Sequence, residues 1–238
     1  MFFTIKLNII RCLPALLLTA ATLVMLVLFT VNMSRAAPAA ASHTARCLVL
    51  DPGHGGLDGG AVSKSGKKES DINLAIALKT QKLAEFYGVD TVMTRTDDSM
   101  RTDLKSYSEH EDLVRRTEIA NSARNGTLIS IHQNCYPTSL PSGAQTLFSN
   151  DPESKKLGEL TQGNIVRYLQ PENRRLAEPA PAKLYITGHA ACPAILVECG
   201  FMSNFSDIEK LSGGKYQTSL AVVLFVSYLQ YTERALLT

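Results

Sequence analysis

The sequence predicts an α/β fold, a single domain in which helices flank a twisted, mostly parallel central sheet on both faces. Short apolar runs rich in branched residues recur along the chain, and each has the length and composition of a strand. Segments with helical periodicity separate these runs. Strands that alternate with helices form parallel crossover units, whose helices cover both faces of the sheet. About 200 residues remain after an apolar N-terminus, a length that builds one domain with a full core.

The N-terminal segment is predicted to lie outside this domain. Residues 12–31 carry no charged side chain, and as a helix they would span roughly 30 Å, the thickness of a bilayer core. Lys6 and Arg11 precede this run, which places the N-terminus in the cytoplasm and exports the remainder of the chain. The segment is either an uncleaved anchor or a secretory signal whose cleavage releases the domain. The predicted divisions are an anchor or signal segment at 1–35, a linker at 36–45 and the exported domain at 46–238.

The elements of the domain can be assigned in order from the patterning. Five strands are predicted, at 47–50, 89–93, 127–131, 144–148 and 194–197. Four helices are predicted, at 71–87, 111–124, 153–169 and 215–231. Ser70 is the expected N-cap of the first helix and Gly88 its C-terminal stop. The segment 136–143 has two prolines and a glycine directly after a strand, so we expect an irregular surface loop that borders the substrate.

The glycine-rich segment after the first strand reads LDPGHGGLDGGAV at 50–62. It fails as a dinucleotide fingerprint because the sixth position holds Asp58, and it fails as a phosphate-binding loop because Gly60 is followed by Ala61 rather than lysine. The glycines around His54 would instead leave room near the backbone for a metal ion and substrate. An exposed histidine in a tight loop is the alternative at this point.

Polar side chains at other strand ends support the interpretation that His54 binds a metal ion. His132 ends TLISIH and Glu198 ends AILVE, so both lie at the carboxyl edge of a parallel sheet, where ligands bind. Glu69 precedes the first helix, where a helix N-terminus would also favour it. Two histidines and one carboxylate form the His₂Glu set of a catalytic zinc site, and Glu198 could act as the base. A salt-bridged strand end is the alternative for Glu198.

The chain resembles the zinc-dependent N-acetylmuramoyl-L-alanine amidases of bacterial cell-wall metabolism, the type 3 amidases. Six ordered blocks carry the resemblance: LDPGHGGLDGGAV at 50–62, ESDINLAIA at 69–77, TRTDD at 94–98, RTEIAN at 116–121, SIHQN at 130–134 and PAILVECGFMSN at 193–204. It implies that 46–238 is the catalytic domain, that peptidoglycan is the substrate and that one Zn²⁺ binds per chain. The implied zinc ligands are His54, Glu69 and His132, with Glu198 as the catalytic carboxylate and Asn134 as a substrate contact.

Within this family, the chain is most similar to the sporulation- and germination-specific cortex amidases. A lone amidase domain behind one N-terminal segment, with GAQT at 143–146, carries that similarity. It implies a role in spore-cortex maturation and a location facing the cell wall or the intermembrane space of the forespore. A general vegetative cell-wall amidase and a zinc peptidase acting on the stem peptide are the alternatives. The resemblance leaves open whether a protein partner activates the enzyme.

Charge and cysteine content narrow the remaining possibilities. The net charge is +2 and no basic stripe is interleaved with aromatic residues, so we predict no nucleic-acid partner. Cys192 and Cys199 should not pair, because a strand of this length places their Cα atoms roughly 20 Å apart. Buried free thiols are expected, and other pairings with Cys47 and Cys135 stay open. Cys135 could compete as a soft metal ligand, whereas strand alternation points Cys199 away from Glu198.

Overall fold

A computed structural model of the chain describes Met25, residues 46–98 and residues 108–234. The predicted linker, and all but Met25 of the predicted anchor or signal segment, lie outside the described residues. The chain divides into two units, Met1–His43 and Thr44–Thr238, and the sheet with its helices belongs to the second. Among the residues that are described, no helix has the length and apolar character needed to cross a membrane.

Six strands form one sheet. They are β1 (Cys47–Pro52), β2 (Thr91–Met93), β3 (Gly126–Asn134), β4 (Gln145–Phe148), β5 (Glu178–Pro179) and β6 (Ala194–Phe201). Their order across the sheet is β2-β1-β3-β6-β4-β5. Strands β2, β1, β3 and β6 pair in parallel, and β4 is antiparallel to β6. The prediction of a mostly parallel sheet is confirmed. Strand β4, which comes after the 136–143 loop, and β5, which is parallel to β4, run opposite to the other four strands.

Six helices are described with this sheet. They are α1 (Glu69–Phe86), α2 (Glu109–Ser122), α3 (Pro152–Tyr168), α4 (Tyr185–His189), α5 (Phe205–Leu211) and α6 (Gly214–Arg234). The four longer helices match the predicted ones, with their starts one or two residues earlier. Strand β5 and helices α4 and α5 were not predicted, because segments this short carry too few residues for a periodic pattern to appear.

Two helix starts show how local sequence sets these boundaries. Asp151 caps α3 by accepting hydrogen bonds from the amides of Glu153 and Ser154, and Pro152 occupies the first turn. The prediction for α1 is wrong: its N-cap is Lys68, which makes no side-chain capping bond, and Ser70 is buried inside the first turn. The hairpin before α1 sets its start instead, because the Glu69 amide donates to the Ala61 carbonyl.

The sheet is covered on both faces, and the period of two along each strand decides which side chains go where. Leu48 and Leu50 of β1 belong to the larger core with α1, α3 and α6, whereas Val49 between them belongs to a smaller core on the other face. Ala120 of α2 and Ile186 of α4 close that smaller core. The predicted fold class is therefore confirmed.

The carboxyl ends of β1, β3 and β6 meet at one edge of the sheet. In the register of β3 with β6, His132 lies directly opposite Glu198. The pairing becomes irregular between His132 and Asn134, so the end of β3 departs from a regular strand just after the histidine. This edge brings together the polar residues that the sequence places at separate strand ends.

Candidate metal centre and active-site cleft

The glycine-rich loop after β1 holds His54 in a conformation that few side chains adopt. His54 has φ 60°, and Gly60 further along the loop has φ 64°. A Cβ atom on Gly53 would collide with the His132 ring, and one on Gly60 would lie 2.7 Å from both Glu69 Oε2 and His54 Cδ2. The missing side chains therefore provide the clearance in which two histidine rings and a carboxylate converge.

His54, Glu69 and His132 converge at this edge. Glu69 Oε1 lies 3.3 Å from His54 Nε2 and 3.0 Å from His132 Nδ1. One ligand atom from each residue lies within 4.8 Å of the other two. Glu69 is buried and both histidines are half-buried. Two imidazole nitrogens and one carboxylate oxygen form a donor set that suits zinc, so the residues present fit the ion that the sequence predicts.

A second layer of contacts holds these side chains in place. Asp58 Oδ2 lies 2.6 Å from His54 Nδ1, and the other Asp58 oxygen accepts from the Gly60 amide at 3.0 Å. The amides of Ala61 and Gln133 donate to the two oxygens of Glu69, at 3.0 Å each. Because Nδ1 of His54 is occupied by Asp58, Nε2 is the atom that faces Glu69. This role of Asp58 is not predicted from the sequence, although its position four residues after His54 is a signal for it.

The protonation states at this site suit a cation between the side chains. Burial, the largest influence, opposes ionisation of Glu69, but hydrogen bonds from His132 and His54 outweigh it and lower the Glu69 pKa well below its usual range. Burial also disfavours charge on His54, whereas Asp58 and Glu69 raise the pKa of His54 to about 10. A metal ion would take the place of this proton, since metal binding requires the neutral imidazole.

Glu198 faces the same space without being held there. Its Oε2 atom is buried, and it makes no hydrogen bond to any part of the chain that the structure describes. Burial and then repulsion from Glu69 raise the pKa of Glu198 to about 8, despite the opposing influence of His54. An unpartnered carboxyl group with a pKa near neutrality is what general acid–base chemistry requires.

The site opens into a cleft of about 280 Å³. We call its inner part the metal end, which comprises His54, Asp58, Glu69, His132 and Glu198. We call another part of its lining the α2–α4 wall, which comprises Glu109, Asp112 and Leu113 of α2 and residues 183–186, just before and at the start of α4. The cleft thus joins a compact group of possible ligands to a second, more exposed surface.

The other residues that the sequence selected take different places. Asn134 lines the cleft, and its side-chain amide makes no hydrogen bond within residues 46–98 and 108–234, so its predicted substrate contact stays a prediction. Cys135 lies at the rim and is outside the group of possible metal ligands. Cys199 is buried in the core. The four described thiols are free, but the expectation that they are buried is wrong for Cys135, which is exposed just after the end of β3, and Cys192 is only half-buried.

Beneath the metal end lies a buried polar layer that ties β1 to its neighbours. Asp51 of β1 accepts two hydrogen bonds from Arg116, at 2.8 and 2.7 Å, and one each from Thr94 and Ser130, at 2.6 Å. Arg95 donates to the carbonyls at Pro52, Gly53 and Ser70. Arg116 therefore anchors α2 to the sheet, and Arg95 links the His54 loop to the start of α1.

The fold and the site together define a class of protein: a single-domain α/β protein with donors for a metal ion at the carboxyl edge of its sheet. The chain belongs to the N-acetylmuramoyl-L-alanine amidase family, whose sequence model matches residues 48–225. The family resemblance drawn from the sequence motifs is thereby confirmed.

Relatives and solved structures agree with this assignment. The germination-specific N-acetylmuramoyl-L-alanine amidase of Bacillus subtilis is 35% identical over 205 residues, which cover 79% of this chain and 81% of that protein. The CwlD amidase of Clostridioides difficile, solved in complex with the GerS lipoprotein, superposes with a TM-score of 0.74 at 32% identity and covers 79% of this chain and 98% of that one. An N-acetylmuramoyl-L-alanine amidase of Clostridium difficile 630 gives a TM-score of 0.69 at 32% identity, covering 80% of this chain and 98% of that one.

Proposed function

We propose that this chain is a zinc-dependent amidase that hydrolyses the bond between N-acetylmuramic acid and the L-alanine of the stem peptide in peptidoglycan. One observation carries the proposal: the unpartnered Oε2 of Glu198 faces the group formed by His54, Glu69 and His132. Family membership supplies the bond that is cleaved. The geometry supports a reaction in which one carboxyl group moves protons beside a bound cation.

In this proposal, His54, Glu69 and His132 hold the zinc ion. His54 binds through Nε2 because Asp58 occupies Nδ1, and that contact also fixes the tautomer and the orientation of the ring. His132 presents Nδ1 toward the same oxygen of Glu69. When bound, zinc supplies Lewis-acid chemistry, which polarises the scissile carbonyl and acidifies water.

Glu198 moves the proton that the reaction requires. Its carboxylate accepts a proton from the attacking water as the oxygen–carbon bond forms, and the protonated acid then delivers that proton to the departing nitrogen as the carbon–nitrogen bond breaks. The products are the carboxylate of the muramyl lactyl group and a stem peptide with a new amino terminus. A pKa raised to about 8 lets Glu198 exchange a proton near neutral pH.

We further propose that the chain acts on spore-cortex peptidoglycan after export. The germination-specific relative and the CwlD structure support the cortex role, and the uncharged run at 12–31 supports export as an anchored or cleaved form. The CwlD complex with a lipoprotein also supports an activating protein partner. A general vegetative amidase and a zinc peptidase remain the alternatives.

Metal analysis of the full-length protein, followed by mass spectrometry of digested cortex and vegetative peptidoglycan, tests these proposals. We expect one zinc ion per chain and new L-alanine amino termini, with faster release from cortex. Cuts within the stem peptide would show a peptidase instead. Equal release from both walls would favour a general amidase. A metal-free protein that releases nothing, even with extracts of sporulating cells added, would contradict the proposal as a whole.

A further inference from the structure

Two charged side chains on the α2–α4 wall have no partner among the residues that the structure describes. Glu109 begins α2 and Lys183 lies just before α4, and both are exposed and line the same cleft as the metal end. Neither side chain makes a hydrogen bond or ion pair with any residue in the two described ranges, 46–98 and 108–234. Their charges are therefore available to a ligand.

The remaining charges in the cleft are already paired, apart from Glu198. Asp58 and Glu69 contact the histidines. Asp112 lies 2.7 Å from Arg115 and 3.6 Å from Arg116, which is itself bound to Asp51. The wall therefore offers a ligand two charges that are not used in internal pairs, the carboxylate of Glu109 and the ammonium of Lys183.

The two free charges lie on neighbouring elements. His110, next to Glu109, contacts Tyr185 edge-on with 5.3 Å between ring centroids. Tyr185, two residues after Lys183, in turn stacks on His189 at 3.9 Å. These ring contacts hold the start of α2 beside the start of α4. Yet Glu109 and Lys183 do not form an ion pair, so both keep their capacity to bind a group that carries both charges.

We infer that the α2–α4 wall is a subsite for a zwitterionic amino-acid group on the stem peptide, with Glu109 receiving its ammonium and Lys183 its carboxylate. This inference rests on the proposed function, because it concerns the peptide beyond the amide that is cleaved. A side chain with an ammonium alone would satisfy Glu109 and leave Lys183 without a partner. The wall therefore selects among stem peptides by the charges on their third residue.

The experiment uses the full-length protein and muramyl tripeptides that differ only at the third residue. Its side chain ends in an ammonium plus a carboxylate (diaminopimelate), in an ammonium alone (lysine), or in a neutral methyl group (norleucine). A muramyl dipeptide serves as the reference substrate. Exposed charge pairs contribute little each, so we expect about threefold in kcat/KM for each matched charge. The difference should appear in KM, because these contacts are the same in the ground and transition states.

Variants assign this preference to the two side chains. Lys183→Ala should remove the advantage of diaminopimelate over lysine, whereas Lys183→Arg should keep it. Glu109→Gln should remove the advantage of lysine over norleucine. The matched controls are Lys155→Ala and Glu159→Gln, which alter an exposed pair on α3 outside the cleft and should leave all ratios unchanged. Raising the ionic strength should shrink the preference, since exposed charges are screened.

Two kinds of failure are distinguishable. Cleavage of the reference dipeptide with equal kcat/KM for the three tripeptides would overturn the subsite and leave the proposed amidase intact. A wild-type preference that survives both Lys183→Ala and Glu109→Gln would also overturn the subsite. No cleavage of any muramyl peptide at the lactyl amide, by a protein that carries its zinc and has extracts of sporulating cells added, would overturn the proposed function itself.

Discussion

The two sides of the cleft are built in opposite ways. At the metal end, Glu69 is buried, and backbone amides, imidazoles and Asn73 hold its two oxygens. On the α2–α4 wall, Glu109 and Lys183 are exposed and have no partner within the described ranges. Binding of the metal ion therefore relies on side chains whose positions are set before substrate arrives, whereas the wall has charges that a substrate must order.

The largest effect is expected at Glu198, whose side chain makes no hydrogen bond within the described ranges. Glu198→Gln should lower kcat by about 1,000-fold, because the amide cannot accept and return the proton. Zinc content should stay at the wild-type level, since Glu198 is not among the proposed ligands. Turnover on muramyl peptides and metal analysis of the same preparation check this. Glu178→Gln, on exposed β5, is the matched control, and wild-type turnover by Glu198→Gln would remove Glu198 from its role.

The next largest effect is expected in the buried polar layer beneath the metal end, where a substitution should destabilise the fold. Asp51→Asn leaves the buried Arg116 without its charge partner and should lower the free energy of unfolding by about 3–5 kcal/mol at pH 7. Urea unfolding measures this change. Asp90→Asn, at an exposed position, should change it by roughly 0.5 kcal/mol or less. An equal effect of the two substitutions would show that the Asp51 network does not stabilise the fold.

The Asp51–Arg116 pair also predicts how the free energy of unfolding depends on pH. Burial, the largest influence, opposes charge on Asp51, but Arg116, Ser130 and Thr94 outweigh it and hold the Asp51 pKa far below its usual range. Because the folded pKa lies below the unfolded value of about 3.9, this stabilisation is present above that pH and is lost as the pH falls toward the folded pKa. The difference in unfolding free energy between wild type and Asp51→Asn should therefore narrow below about pH 4. A difference that stays constant from pH 7 to pH 3 would contradict this assignment.

A substitution of Asp58 tests whether the contacts that orient the proposed ligands affect zinc affinity. Asp58→Asn should weaken zinc binding by about 10- to 100-fold in a chelator competition, because His54 loses the carboxylate that orients its ring. Asp98→Asn is the matched control: Asp98 accepts from the Gly56 amide of the same loop but does not touch His54. Equal losses in the two variants would indicate a general loosening of the loop.

Gly53→Ala tests the clearance around His132. The new methyl group would collide with that ring, and we expect about a tenfold loss of zinc affinity as the ring shifts. Gly163→Ala provides the control, since a Cβ there meets nothing within 4 Å on α3. Unchanged zinc affinity would show that His132 can shift without loss of zinc binding.

The smallest effect in the cleft is expected for Glu109 and Lys183 on the α2–α4 wall, where each matched charge should change kcat/KM by about threefold.

Much of the fold and of the candidate site could be predicted, because each rests on a local signal. The strand at 47–50 is a short apolar run of strand composition, and the helix at 71–87 shows the 3.6-residue period. His54, His132 and Glu198 each come after an apolar run, so their common edge comes directly from parallel topology. The start of α1 could not be predicted from Ser70, because a hydrogen bond to Ala61 across the preceding hairpin decides it.

By itself, the sequence determined the α/β class, the residues at the carboxyl edge and the type of chemistry they can perform. Only the tertiary structure decided that Asp58 contacts His54, that Cys135 is exposed, and that Glu109 and Lys183 lie on one wall of the cleft. Periodicity and strand exits are encoded by residues near one another in the chain. A contact between α2 and α4 joins residues far apart in sequence, so only packing brings them together.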